Sequence, residues 1–154
     1  MKKGNFKNKS TIILSILFFL LVFSTNAQAP KELISTAITE ASGAKRGVIK
    51  DDEGAFRLDY DDVYEEDTQA KFLQEKGYHG GGPSWLGILY GAFSLCENDL
   101  VSNLDSDVSV TGLSFWSDKK EDLEKISRVI AVLKSDEKIL LEAIEIAKKQ
   151  ELML

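Results

Sequence analysis

Few residues in this chain are equipped for chemistry. His79 is the only imidazole in 154 residues, and it lies in "GYHGGGPSW", residues 77 to 85, where three glycines and a proline precede an apolar helical run. Glycine-rich turns at helix starts bind anions, because their backbone N–H groups are exposed and the helix dipole adds positive potential. A phosphate loop also needs a cation to meet the phosphates. From Gly77 to Asp118 there is no Lys or Arg in 42 residues, whereas Glu97, Asp99, Asp105, Asp107 and Asp118 are acidic. The stretch therefore reads as a structural turn, with Gly77, Gly80 and Gly82 supplying backbone freedom, Ser84 as the helix N-cap and Trp85 as the first core anchor. His79 is expected to be an exposed loop imidazole, and no cofactor is implied.

Nucleophilic and metal chemistry fare no better. The chain has no G-x-S-x-G elbow, no H-E-x-x-H and no C-x-x-C. Cys96 is the only cysteine, so no intramolecular disulfide can form. Carboxylates are plentiful: residues 51 to 67 hold nine acids against the single Arg57. Paired acids serve glycosidases and calcium sites, but the run lacks the fixed order of an EF-hand loop. Three uses of the acids stay open: a solvated acidic face, a calcium site on Asp59, Asp61 and Asp62, or a contact surface for a basic protein. On the last reading Asp59, Asp61, Asp62, Glu65 and Glu66 meet the partner, with Tyr78 and Trp116 as exposed aromatic anchors.

The N-terminus suggests where such a partner would be met. Residues 1 to 10 carry Lys2, Lys3, Lys7 and Lys9 with no acid, "TIILSILFFLLVF" is almost wholly apolar, and "STNAQAP" follows with small residues. These are the sectors of a secretory signal, with cleavage expected after Ala27 and Ala29 as the alternative. An apolar run of 13 residues is short for a membrane span of about 20 residues. The segment holds four of the 19 basic residues and none of the 25 acidic ones, which leaves the mature chain at a formal −10. Such a chain repels nucleic acid and anionic membranes and attracts basic proteins.

The elements that must position these residues form one α+β domain over residues 28 to 154, with about four antiparallel strands and four to five helices. "KELISTAITEAS" spaces Leu33, Ile34, Ala37, Ile38 and Ala41 at helical intervals, although its Thr and Ile residues also suit a strand, so helix and strand both stay open here. "RGVIKDDEGAFRLDY" reads as a β-hairpin about its turn-rich centre. "DVYEEDTQAKFLQEKG" reads as a helix stopped by Gly77. Trp85, Ile88, Leu89, Ala92, Phe93 and Cys96 then mark one face of a further helix, on which Gly87 and Gly91, four apart, invite close approach of another backbone. "LVSNLDSDVSVTGLSFWS" offers two strands meeting near Gly112. If Leu113 and Phe115 face the core, Trp116 faces outward. Two helices close the chain, with Ser117 and Ser135 placed as their N-caps.

"KFLQEKGYHGGGPSWLGILYGAF", followed at a distance by "DVSVTGLSFWSDKKEDLEKISRVIAVL", resembles the Immunity protein 51 family of bacterial polymorphic toxin systems. The positions that carry the resemblance are Gly77, Tyr78, Gly80, Gly82 and Trp85, then Phe115, Ser117, Asp118 and Leu123, within roughly residues 46 to 134. Pro83-Ser84 stands where the family more often has an aromatic-acidic pair, and the export signal departs from its many cytosolic members. The resemblance implies a non-enzymatic inhibitor that binds and blocks a cognate toxin, here in the cell envelope. Two other classes remain: a periplasmic module for a small ligand or calcium, and an envelope hydrolase using paired carboxylates.

Overall fold

The computed structural model describes residues 29–61 and 68–153. The signal-like segment and the acids Asp62, Glu65 and Glu66 lie outside them. Along the chain run α1 (Pro30–Thr39), β1 (Val48–Asp52), β2 (Ala55–Tyr60), α2 (Thr68–Glu75), α3 (Gly82–Leu95), a 3-10 turn (Leu100–Asn103), β3 (Asp105–Ser109), β4 (Gly112–Ser117), α4 (Lys120–Ser135) and α5 (Glu137–Lys149). The four strands form one antiparallel sheet in the order β1-β2-β4-β3. This is the expected small α+β domain. Among the described residues no helix is long and apolar enough to cross a membrane.

Strand alternation sorts the sheet into two faces. Leu58, Tyr60, Leu113 and Phe115 are buried, with Ile49, Phe56 and Val108 packed partly against them. The pairings Ile49 with Leu58, Leu58 with Phe115, and Tyr60 with Leu113 bring these side chains together on one side. The β1–β2 hairpin turns through Glu53 and Gly54, both at positive φ (50° and 100°), the two-residue primed turn whose twist matches that of the strands.

Among the described residues, helices cover only that apolar face. α4 buries Leu123, Ile126, Val129, Ile130 and Leu133, and α5 buries Ile139, Leu140, Ala143, Ile144 and Ala147. Both follow the expected spacing. α1 ends at Thr39, so Ala41 lies beyond it and is exposed. Arg128, buried in α4, donates from Nε to the Ala37 carbonyl (2.8 Å), one of the last-turn acceptors a helix leaves unpaired. α3 is buried on most sides, and its glycines explain how. A Cβ on Gly91 would lie 2.1 Å from the Ala143 carbonyl oxygen, and one on Gly87 would lie 2.2 Å from that of Leu152. The backbone approach anticipated at these glycines is therefore present, and it comes from α5 and the residues just after it.

The helix caps depart from expectation. α3 begins at Gly82 with Gly81 as N-cap, which places Ser84 inside the first turn. α4 has Lys119 as N-cap, with Ser117 two residues earlier accepting the Lys119 N–H (3.1 Å). Ser135 is the last residue of α4, and Asp136 caps α5 by accepting the Lys138 N–H at 2.7 Å. In each case the side-chain oxygen does bond a backbone N–H or carbonyl nearby, but the register differs by one to three residues.

Candidate functional site

The glycine turn is resolved by its hydrogen bonds. α2 ends in a Schellman cap: Gly77, at φ 87°, donates to the Gln74 carbonyl (2.9 Å), and Tyr78 donates to that of Leu73 (3.0 Å). Such a cap folds the next residue back on the helix, so Tyr78 packs half-buried against the core. The exposed anchor expected there is thereby corrected. Each glycine N–H beyond it is already engaged. Gly80 donates to Ser84 Oγ (3.1 Å), Gly81 to His79 Nδ1 (3.2 Å) and Gly82 to the Val110 carbonyl (3.3 Å). With these three glycine N–H groups engaged and no cation near in sequence, the turn lacks the open backbone cradle of a phosphate loop. Gly80 has positive φ (83°), but Gly82 is helical. Gly82 is required by space, since a Cβ would lie 2.2 Å from the Ser109 carbonyl oxygen and 2.4 Å from that of Gly112.

His79 is exposed, as expected, and Cys96 stands at the far end of α3, about 20 Å along a helix of this length. They cannot form a Cys-His pair. Burial pushes the Cys96 thiol above its ordinary value, which lowers its thiolate fraction.

The second face of the sheet is where the charged and aromatic residues gather. Strand register lines up Lys50, Arg57, Trp116 and Asp105 in one row across all four strands, and Val48, Asp59, Ser114 and Asp107 in the next. No described element packs over them. Trp116 does face outward, opposite Leu113 and Phe115, yet it is only half-exposed. Its Nε1–H donates to Asp52 Oδ2 (2.7 Å), and the Arg57 guanidinium lies 5.8 Å from its ring centroid.

Asp59 occupies the centre of this face. Lys50 Nζ is 2.6 Å from its Oδ2, Arg57 reaches both its oxygens (Nε at 3.0 Å, Nη2 at 3.2 Å), and Ser114 Oγ donates to Oδ1 at 2.8 Å. Burial pushes its pKa up, but the hydrogen bonds from Lys50, Ser114 and Arg57 outweigh that and hold the carboxyl below its ordinary 3.8. A depressed carboxylate stabilises the fold above the unfolded value and loses that contribution as pH falls through the folded one. Asp59→Asn is accordingly expected to cost about 1–2 kcal/mol at neutral pH. It should also flatten the loss of stability below about pH 4, read from denaturant titrations between pH 7 and pH 2.5. Equal acid sensitivity in both proteins would exclude the network as its source.

Asp59, expected from the sequence as a partner contact, therefore lies on the open face with its charge already balanced. It is a matched ion, not a free acid awaiting a partner, and Asp59→Lys would set a third cation beside Lys50 and Arg57. Asp61 is exposed just past β2. Among the described residues no group of three His, Cys, Asp or Glu side chains is disposed to hold a metal. Sequence reasoning missed Lys50, Asp52, Arg57 and Ser114 as members of the site. Arg57 and Asp59 stand two apart on one strand and so share a face, a signal available in the alternation.

At one corner this face opens into a pocket of about 340 Å³ lined by Ala55, Leu104, Asp105, Trp116, Asp118 and Lys119, among others. It lies where β2 begins, β4 ends and α4 starts. Comparison with protein-family models, curated proteins and solved structures gave no match.

Proposed function

We propose that the chain is an exported, non-enzymatic immunity protein that binds and neutralises a cognate bacterial toxin in the cell envelope. The observation that carries this reading is the sheet face left uncovered by any described helix, with Trp116 held in place by Asp52 and Arg57 among charged side chains. A rigid, half-exposed tryptophan is the kind of residue on which interface energy concentrates. The mature charge of −10 points to a basic partner, and the resemblance to the Immunity protein 51 family supplies the class of partner.

The test is affinity capture by the chain in the envelope fraction of its native cells, where it is expected to begin at Gln28. The captured protein should be basic, should arrest growth when expressed alone, and should be tolerated when this chain is co-expressed. Capture should weaken as salt rises from about 0.05 to 0.5 M, since the Debye length shrinks over that range. A captured protein that does not arrest growth, or full-length chain confined to the cytosol, would overturn the reading.

A further inference from the structure

Charge on the open face is unevenly matched. On the β1–β2 side Asp52 and Asp59 are answered by Arg57 and Lys50. On the other side Asp105 and Asp107 project from the edge strand β3, and Asp118 follows β4, with no ion pair to any of the three among the described residues. Of the remaining charges at the pocket, Asp122 is engaged by Lys125 (2.8 Å), and Lys119 is the one cation among the described residues that line it. The uncompensated negative charge thus sits around the pocket beside Trp116. On the hairpin, Asp51 is likewise without an ion pair among the described residues, but it alternates with Lys50 and Asp52 and so points away from the open face.

We infer that this pocket receives a cationic side chain, arginine foremost, from a basic segment of the partner that runs along β3. This rests on the reading of the open face as a contact surface. A volume of about 340 Å³ is ample for a guanidinium and its stem. Asp105 and Asp118 supply carboxylates that an arginine fork can engage, and Trp116 supplies an aromatic wall on which its plane can stack. Asp107, one pleat further along β3, extends the negative strip to the next basic residue. A second copy of this chain brings the same acidic surface and is repelled.

The probe is a hexa-arginine peptide, titrated into the 15N-labelled full chain, with hexa-glutamate as control. The two tryptophans give two indole N–H resonances, assigned with a Trp116→Phe variant. The Trp116 signal should shift and saturate with hexa-arginine, while that of Trp85, fully buried in the core, should stay. The triple variant Asp105→Asn, Asp107→Asn, Asp118→Asn should weaken binding about tenfold or more, and Asp51→Asn with Glu75→Gln, both exposed and away from the pocket, should change it less than about twofold. The inference is overturned by a triple variant that binds as the wild type does, by a Trp116 signal that never moves, or by concentration-dependent Trp116 shifts without peptide, which would give the face to a second copy. Salt-sensitive capture of a growth-arresting protein that survives the triple variant would remove the pocket and leave the proposed function standing. Peptide binding at the pocket without any such protein would remove the function and leave the pocket.

Discussion

Trp85→Ala should lower the unfolding free energy by about 3–5 kcal/mol, as truncation of a large buried aromatic does. Trp85 has no exposed surface and is the largest fully buried side chain. It meets Tyr60 edge-on, with ring centroids 5.6 Å apart and planes at 77°, and the Lys134 ammonium lies 5.4 Å from its ring. Truncation removes an aromatic pair and a cation–π contact and leaves a cavity between the sheet and α3. Among the described residues the indole Nε1–H has no hydrogen-bond partner, an arrangement that costs stability in the folded state. Trp85→Phe, which deletes that N–H and keeps a ring, is therefore expected to cost less than about 2 kcal/mol. Urea titrations of both variants would decide the matter, and a loss under about 1 kcal/mol for the alanine would show that the ring is not the anchor of the core.

Gly91→Val should be comparably damaging for the opposite reason. The atom a side chain would strike at Gly91 is a backbone carbonyl oxygen of α5, and the Ala147 backbone nitrogen stands only 3.0 Å from the same point. A flexible side chain could swing away, but a helix backbone can yield only by moving α5 as a body. Overpacking of this kind costs about 1–3 kcal/mol where side chains absorb it, so at least about 3 kcal/mol is expected here. Valine's better helix propensity returns only a few tenths of a kcal/mol. Thermal unfolding should show the loss. A variant that melts with the wild type would mean that α3 and α5 are not held at this separation.

How far the sequence foretold these features depended on whether the deciding contact was local. The apolar stripe of α3 and the glycines four apart on it were legible because helical period alone fixes which residues share a face. Cys96 continued the spacing but fell just beyond the helix end, where no periodicity argument reaches. The start of α3 could have been read better from Pro83, which belongs in a first turn and so moves the cap ahead of Ser84. The inward turn of Tyr78 was likewise available: glycine at C′ followed by an apolar residue is the Schellman signature. The state of Asp59 was harder to see. Its partner Lys50 comes from the next strand and Ser114 from more than 50 residues away, so its charge could be balanced only once the strand register was known. The same non-local pairing hides the pocket beside Trp116, which four separate segments enclose.

The close seating of α3 against α5 also dictates an order of events during synthesis. Gly91 leaves the ribosome about 60 residues before Leu152, roughly 3 to 12 s at ordinary elongation rates. Throughout that interval α3 lacks the partner against which its small residues are shaped, and Ile88, Leu89, Ala92 and Phe93 have no complete core to enter. The nascent chain therefore stays open and exposes apolar surface until its last helix appears. An unfolded, apolar nascent chain is a substrate for holding chaperones and can still be threaded through a narrow translocation channel. A domain whose first half closed on its own would have no such interval.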